Sequence, residues 1–445
     1  MGKYFGTDGF RGEAGKDLTA IHAYKIGRYL GYYYGKEDKA RVVIGKDTRR
    51  SSYMLEYALV AGLCASGADA YLLHVTTTPS VAYVTRCEDF DAGIMISASH
   101  NPFYDNGIKI INSRGEKMSE RICDDIENFI DSDESTLPFA SGADVGRTVD
   151  YVLGRNRYTG YIISLSKHSY SPLRIGLDSA NGATWMLAKS IFEALGAKTY
   201  VIGNTPDGTN INDSCGSTHI EALCELVKRE GLDIGFAFDG DADRCLAVNE
   251  CGEVITGDGI LYLSAKYMKA RGELNKNTVV TTVMSNYGLY KALERENINY
   301  IKTDVGDRFV FEEMKRGGYS LGGEESGHII YSKLASTGDG LITAIKIMEA
   351  LIESKQSASH LTDGFYRYPQ ITKNLRVADK DAPLCDENVK KALTRAEKML
   401  SGEGRILLRK SGTEPLIRIM AESKSEESCR AAIEEVEKEA RKYCV

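Results

Sequence analysis

Three aspartates alternate in DGDADR, residues 239–244, directly after the apolar run LDIGFAF. At that spacing Asp239, Asp241 and Asp243 repel one another unless a cation lies among them. The spacing also fits an EF-hand loop, with Glu250 at position 12, but position 6 is Arg244 where that loop needs glycine. The flanks DIGFAF and CLAVN read as strands rather than helices, which also argues against it. A loop at the carboxyl end of a strand is where open α/β sheets place ligands. Three carboxylates beside an arginine suit Mg²⁺ held jointly by protein and phosphate.

A second strand end, AGIMISASHNP (92–102), presents Ser97, Ser99 and His100. Ser99 could be a hydrolase nucleophile, yet G-x-S-x-G is absent here and triads assemble in space rather than by adjacency. Alternatively Ser99 carries a phosphoryl group whose oxygens supply the ligand that three aspartates lack. His100 is a catalytic candidate alongside it.

In RKSGTEPLIR (409–418) Arg409 precedes the small-residue turn Ser411, Gly412 and Thr413, with Arg418 close behind. Such a turn offers hydroxyls and backbone N–H groups to one phosphate, and an arginine grips it with a fork of donors. In LGGEESGH (321–328) a glycine-framed loop holds Glu324, Ser326 and His328, a set suited to sugar hydroxyls. Arg11 in GTDGFRG and Lys109 in DNGIKI add positive charge, and a lysine of depressed pKa can serve as a general base.

Positioning these loops requires strands. Short β-branched runs (41–45, 70–75, 92–97) alternate with a helical pattern at 53–67, the signature of parallel sheets with crossover helices. Two further cycles follow, the first from LRIGLD (173–178) to LDIGFAFD (232–239) and the second from TVVTTVMS (278–285) to the GGEESGH loop. The aperiodic stretch 131–146, carrying Pro138, reads as a domain boundary. From about 368 the order strand, helix, strand, strand, helix reads as a compact α+β cap. TGDG recurs at 256–259 and 337–340, each time before an apolar helical run, as an Asp/Gly helix start used twice.

The 445 residues exceed what one hydrophobic core usually serves. With 42% hydrophobic and 27% charged residues the chain reads as globular α/β. A net charge of −7 without a basic, aromatic-interleaved stripe argues against a nucleic-acid partner. No apolar run approaches the roughly 18 residues of a membrane span, and the charged start lacks a signal peptide's apolar core, so no membrane partner and a cytoplasmic location are expected. Ten cysteines without metal-type spacing read as reduced structural thiols.

Together GTDGFRG, ISASHNP, FDGDADR, GGEESGH and RKSGTEP, in that order from residue 6 to 415, resemble the α-D-phosphohexomutase superfamily. DSANGAT (178–184), NINDSCGSTH (210–219), VMSNYGL (283–289), VGDRFV (305–310) and STGDG (336–340) are similar to its glucosamine-phosphate branch. The resemblance implies an α/β fold of four domains around a central cleft: three related α/β domains with mixed or parallel sheets (1–147, 148–250, 251–366) and a smaller α+β C-terminal domain (367–445). It implies that Ser99 is a phosphoserine and that its phosphate joins Asp239, Asp241 and Asp243 around one Mg²⁺ per subunit. It assigns Glu324, Ser326 and His328 to the sugar and Arg409, Ser411, Gly412 and Thr413 to the non-reacting phosphate. Arg11, Lys109 and Arg244 line the reaction centre, with Lys109 a candidate acid/base.

The implied activity is interconversion of glucosamine 6-phosphate and 1-phosphate through a 1,6-bisphosphate, supplying UDP-N-acetylglucosamine synthesis. Phosphorylation of Ser99, or a hexose 1,6-bisphosphate primer, starts the cycle. The partner is a hexosamine phosphate, with a homodimer left open. A glucose or mannose phosphate mutase stays as the near alternative, and a Mg²⁺-dependent sugar phosphatase or a non-catalytic sensor as the remote ones. The chain departs from the branch pattern at Glu325, where glutamine is usual, and at Lys410, where proline is common.

Overall fold

The computed structural model describes residues 2–410 and 415–444. By contacts the chain divides into a first unit of Met1–Met284 with Ile298–Asp363 and a second of Ser285–Asn297 with Gly364–Val445.

In the first unit, strands β1 (Phe5–Gly6), β2 (Gly9–Glu13), β3 (Arg41–Lys46), β4 (Asp69–Val75), β5 (Ala92–Ile96), β6 (Asp105–Asn112) and β7 (Thr148–Asp150) form one sheet in the order β1-β2-β6-β5-β3-β4-β7. The centre is parallel (β5-β3-β4-β7), while β6, β2 and β1 run antiparallel. Strands β3 and β5 are apolar along nearly their whole length because both faces are covered. Helices Ala20–Tyr34 and Arg50–Ala65 pack on Val42, Ile44, Ile94 and Ile96; helix Thr78–Cys87 packs on Val43 and Met95 from the other side.

The aperiodic stretch 131–146 folds back onto this layer. Arg28 Nη2 donates to Leu137 O at 2.8 Å, and Ala140 N–H donates to Ala65 O at 2.9 Å. The chain then enters β7.

A second sheet has the order β12-β11-β10-β8-β9, from β8 (Arg174–Asp178), β9 (Lys198–Ile202), β10 (Ile234–Phe238), β11 (Cys245–Asn249) and β12 (Val254–Ile255). A third runs β14-β13-β15-β16, from β13 (Thr278–Thr282), β14 (Asn299–Thr303), β15 (Leu321–Gly323) and β16 (Ile329–Tyr331). Both have a parallel centre and antiparallel hairpins, β10-β11 and β15-β16, at one side. Those two hairpins carry the DGDADR and GGEESGH loops.

Both TGDG repeats do start helices, with different caps. Thr256 Oγ1 accepts from Gly259 N–H before helix Gly257–Ala270, whereas Asp339 accepts from Leu341 and Ile342 N–H before helix Gly340–Ser354. The first repeat has a further demand: a Cβ on Gly257 would lie 2.2 Å from Glu324 O and 2.6 Å from Glu325 O, so only glycine lets this helix start back the GGEESGH loop.

The second unit is an antiparallel sheet β17-β19-β18, from β17 (Gln370–Arg376), β18 (Gly404–Lys410) and β19 (Leu416–Ser423). Helices Glu387–Met399 and Glu426–Ala440 share its core, through Val389, Ala392, Ile433 and Val436. Helix Tyr287–Arg295 joins this unit: Tyr287 N–H and Arg405 Nε both donate to the buried Glu422 Oε2 at 2.8 Å. Among the described residues no helix is long and apolar enough to cross a membrane.

Candidate active site

Ser99 follows β5 by three residues, wholly buried and at φ +53°. A non-glycine residue in the left-handed region is strained by about 1–2 kcal/mol and needs its surroundings to hold it there. Ser97 Oγ accepts from Ser99 N–H at 2.9 Å, and Ser99 O accepts from Arg49 Nη2 and Asn212 Nδ2, both at 2.9 Å. The side chain is thereby aimed at Asp239, whose Oδ2 accepts from Ser99 Oγ. His100 Nδ1 lies 3.4 Å from the same Oγ. Desolvation, with Arg244 and Arg11 nearby, pushes the His100 imidazole down to about 4, so it is neutral near pH 7.

The DGDADR turn joins β10 to β11 and brings one ligand oxygen from each of Asp239, Asp241 and Asp243 within 4.8 Å of the others. All three are buried. Asp239 Oδ1 accepts from Arg244 N–H at 3.1 Å. Asp241 Oδ2 accepts from Lys109 Nζ at 2.8 Å and from Thr78 Oγ1, and Asp241 O accepts from Thr78 N–H at the start of helix Thr78–Cys87. Burial, then Asp243 and Asp241, hold the Asp239 carboxyl well above the ordinary range. Burial also acts to raise Asp243, but Lys109, His328 and Arg244 together overcome it and hold that carboxyl well below the ordinary range. Asp241 Oδ1 and Asp243 Oδ1 are buried without a hydrogen-bond partner. Two buried carboxylate oxygens without a hydrogen bond, the one on Asp243 met only by distant His328 and Arg244 nitrogens, and a third carboxyl resisting its charge are what a divalent cation with hard oxygen ligands would relieve, so these residues fit Mg²⁺.

Lys109 corrects the general-base expectation in one respect. Burial alone would lower its ammonium, yet Asp241, Asp8 and Asp243 at 2.8, 3.3 and 3.4 Å hold it well above the ordinary lysine value. In this arrangement Lys109 is a charged donor rather than a lysine of depressed pKa. Arg11, on β2 beside β6, pairs with Asp8, and its Nε is buried without a partner. Arg244 likewise has a buried Nε without a hydrogen bond, 3.9 Å from Asp243 Oδ1.

The GGEESGH turn closes the β15-β16 hairpin, with Glu324 N–H donating to His328 O at 3.1 Å. Glu324 Oε1 accepts from Gly306 N–H at 3.1 Å, and Ser326 Oγ is buried with no partner. His328 Nε2 accepts from Gly338 N–H at 3.1 Å, and its Nδ1 faces Asp243 Oδ1 at 3.7 Å, so the sugar-type loop and the aspartate cluster meet at this ring. A cavity of about 880 Å³, lined by Asp8, Lys109, Lys117, Asp243, Asp307 and Thr337 among others, opens on the edge of the cluster. Its size suits a small-molecule ligand.

Ser99, His100, Arg11, Lys109, Arg244, the three aspartates, Glu324, Ser326 and His328 all lie in the first unit. Arg409 and Arg418 lie in the second, directly opposite each other on β18 and β19. Ser411, Gly412 and Thr413 lie outside the described residues. Residues not singled out in sequence also enter the site. Asp8 gathers Arg11, Lys109 and Lys117; Lys117 reaches on to Asp307 at 2.7 Å; Asn212 holds the Ser99 carbonyl.

The Ser99 and Asp239 loops approach so closely that a Cβ on Gly240 would lie 2.5 Å from Ser99 O and 3.0 Å from Asn212 Nδ2. Gly240→Ala is therefore expected to cost about 1–3 kcal/mol of stability through overpacking against backbone. It should also lower kcat at least tenfold by pushing the two loops apart. Thermal unfolding and steady-state kinetics check both, and an alanine variant with unaltered kcat would contradict the close approach.

Family models for phosphoglucomutase/phosphomannomutase match along the chain: alpha/beta/alpha domain I over residues 2–137, domain II over 156–252, domain III over 256–368 and the C-terminal domain over 373–439. The phosphoglucosamine mutase of Lachnospira eligens is 61% identical over 439 residues, covering 98% of each chain. In fold the chain is similar to a phosphoglucomutase/phosphomannomutase family protein from Burkholderia thailandensis (TM-score 0.80, 22% identity, 100% and 99% of the two chains covered). It is also similar in fold to Aspergillus fumigatus N-acetylphosphoglucosamine mutase in complex with GlcNAc-6P and magnesium (TM-score 0.68, 15% identity, 99% and 96% covered). With all four domain models matched in order and a full-length relative at that identity, the chain belongs to the phosphoglucomutase/phosphomannomutase family, within the α-D-phosphohexomutase superfamily.

Proposed function

We propose that this chain interconverts glucosamine 6-phosphate and glucosamine 1-phosphate, with Ser99 as the phosphoryl carrier. The observation that carries the reading is a buried serine hydroxyl held in a left-handed turn and aimed at one of three clustered aspartates, a cluster that a cavity of ligand size reaches at Asp243 and Lys109. The name of the Lachnospira eligens relative supports the amino sugar.

The phospho-Ser99 P–Oγ bond breaks as a bond forms from phosphorus to the free sugar oxygen, giving a 1,6-bisphosphate. The proton released by that sugar hydroxyl ends on Ser99 Oγ. The bisphosphate then turns around and the reverse transfer returns its other phosphoryl group to Ser99. His100, neutral and 3.4 Å from Ser99 Oγ, and Lys109 are the groups we assign to handling the proton. Arg11 and Arg244, whose Nε groups make no hydrogen bond, bind phosphoryl oxygens, and Ser326 with Glu324 and His328 binds the sugar. Arg409, Arg418 and Ser411–Gly412–Thr413 of the second unit are assigned to a substrate phosphate. One Mg²⁺ per chain, held by Asp239, Asp241, Asp243 and an oxygen carried on Ser99, would neutralise charge on the transferring phosphoryl group. We assign four domains close to 1–147, 148–250, 251–366 and 367–445, with β7 (Thr148–Asp150) counted with the first and β12 (Val254–Ile255) with the second, whose sheets they pair in.

The test compares kcat/KM for the 6-phosphates of glucosamine, glucose and mannose with Mg²⁺ and a hexose 1,6-bisphosphate primer. Glucosamine should be preferred by at least about tenfold, the scale that one well-placed polar contact provides. A preference for glucose or mannose would keep the chemistry and overturn the substrate, with Glu325→Gln the first reversion to make. Stoichiometric release of inorganic phosphate would instead overturn the mutase.

A further inference from the structure

Arg49 takes no part in the mechanism above, yet it is wholly buried behind the serine turn. A guanidinium has five N–H donors, and all five are used here. Nε donates to Asp47 Oδ2 at 2.8 Å; Nη1 donates to Pro102 O and, at 3.1 Å, to Asp105 O; Nη2 donates to Ser99 O and Asn101 O, both at 2.9 Å. Four carbonyls from residues 99–105 thus converge on one planar cation, which wraps the turn around it.

The other end of the pair closes a ring. Asp47 Oδ2 accepts from Ser97 Oγ at 2.7 Å, and Ser97 Oγ accepts from Ser99 N–H at 2.9 Å. Asp47 Oδ1 accepts from Ser52 Oγ and from Arg49 N–H at 2.8 and 2.9 Å. Both backbone polar groups of Ser99 therefore trace to one buried ion pair, its N–H through Ser97 to Asp47 and its carbonyl to Arg49. A pair with both side chains fully excluded from water is a poor way to gain stability, because desolvation consumes most of the Coulombic gain. Its return is geometric, since it fixes a non-glycine residue at φ +53° with the hydroxyl on Asp239.

We propose that Arg49, with Asp47 and Ser97, is the positioning residue of the phosphoryl carrier, setting where Ser99 Oγ and its phosphate sit relative to the aspartate cluster. The inference rests on Ser99 being that carrier. Lysine at 49 would keep the charge but offers three donors in a tetrahedral array, too few and wrongly directed for four carbonyls and a carboxylate.

The experiment uses the full-length chain phosphorylated at Ser99, as wild type, Arg49→Lys and Ser97→Ala. It measures kcat per phosphorylated serine, KM for glucosamine 6-phosphate and the thermal midpoint. Arg49→Lys should lose about 10²-fold in kcat, the cost of misplacing a reacting group by roughly 1 Å, with KM within about twofold of wild type. Ser97→Ala, which loses one hydroxyl, should shift the same way by a smaller factor and decides the matter if Arg49→Lys fails to fold. A lower midpoint with kcat per phosphoserine unchanged, or a raised KM with kcat kept, would show a merely structural pair and overturn the proposal. Wild-type turnover that does not depend on phospho-Ser99 would overturn the functional reading, and this inference with it.

Discussion

Ser99→Ala is expected to abolish mutase turnover while leaving the fold intact. The backbone of Ser99 is held by Ser97, Arg49 and Asn212 through its N–H and carbonyl, none of which alanine removes. Alanine at φ +53° carries the same left-handed strain as serine, so the stability change reduces to one hydroxyl's bond to Asp239, about 1 kcal/mol. The kinetic change is of another order. With no oxygen to accept and return a phosphoryl group there is no covalent route, and loss of a nucleophile costs roughly 10⁴-fold or more in kcat. A coupled assay primed with a hexose 1,6-bisphosphate, beside circular dichroism and phosphate incorporation, gives the answer. Retention of more than about a hundredth of wild-type kcat would remove Ser99 from the mechanism.

The parts of this site that could be read from sequence are those whose chemistry is packed into one short run. DGDADR, SASH and GGEESGH each put several polar residues directly after an apolar strand, and each proves to be the turn at a strand end in the first unit. The strands at 41–45 and 92–97 were legible because runs buried on both faces leave a continuous apolar signature, and the half-buried strand at 70–75 because of its apolar residues alone. Residues acting singly over long separations were not legible. Thr78 and Lys117 are ordinary polar residues in their local context, and Asp8, Asn212 and Asp307, although inside GTDGFRG, NINDSCGSTH and VGDRFV, have roles those runs do not announce; only the tertiary fold gives these residues partners more than a hundred positions away. Arg49 and Asp47 left one usable signal, since the charged run KDTRR follows at once on the apolar strand RVVIG. The two-residue β1, the antiparallel hairpins and the return of 131–146 onto the first sheet have no periodicity of their own. Register and packing create them.

Asp239→Asn is expected to move stability and activity in opposite directions. In the metal-free protein Lys109 lies within ion-pair distance of both Asp241 and Asp243, while among the described residues no lysine or arginine side-chain nitrogen lies within ion-pair distance of Asp239. Its folded carboxyl is held well above its unfolded value by burial and by Asp243 and Asp241. Such a group costs stability progressively as pH rises from its unfolded pKa toward its raised folded one, and at neutral pH the metal-free fold carries that cost. Asparagine keeps the shape: its Oδ1 can still accept from Arg244 N–H while its Nδ2 donates to Ser99 Oγ, so the metal-free midpoint should rise by a few degrees. Mg²⁺ at a hundredfold over its dissociation constant would stabilise wild type by about 2.7 kcal/mol, and the variant should lose most of that gain together with turnover. Thermal unfolding with and without Mg²⁺, beside the mutase assay, separates the effects. An unchanged Mg²⁺-dependent shift would exclude Asp239 as a ligand. A lower metal-free midpoint would mean that the like charges are compensated within the protein, which would remove the electrostatic case for a cation at the cluster.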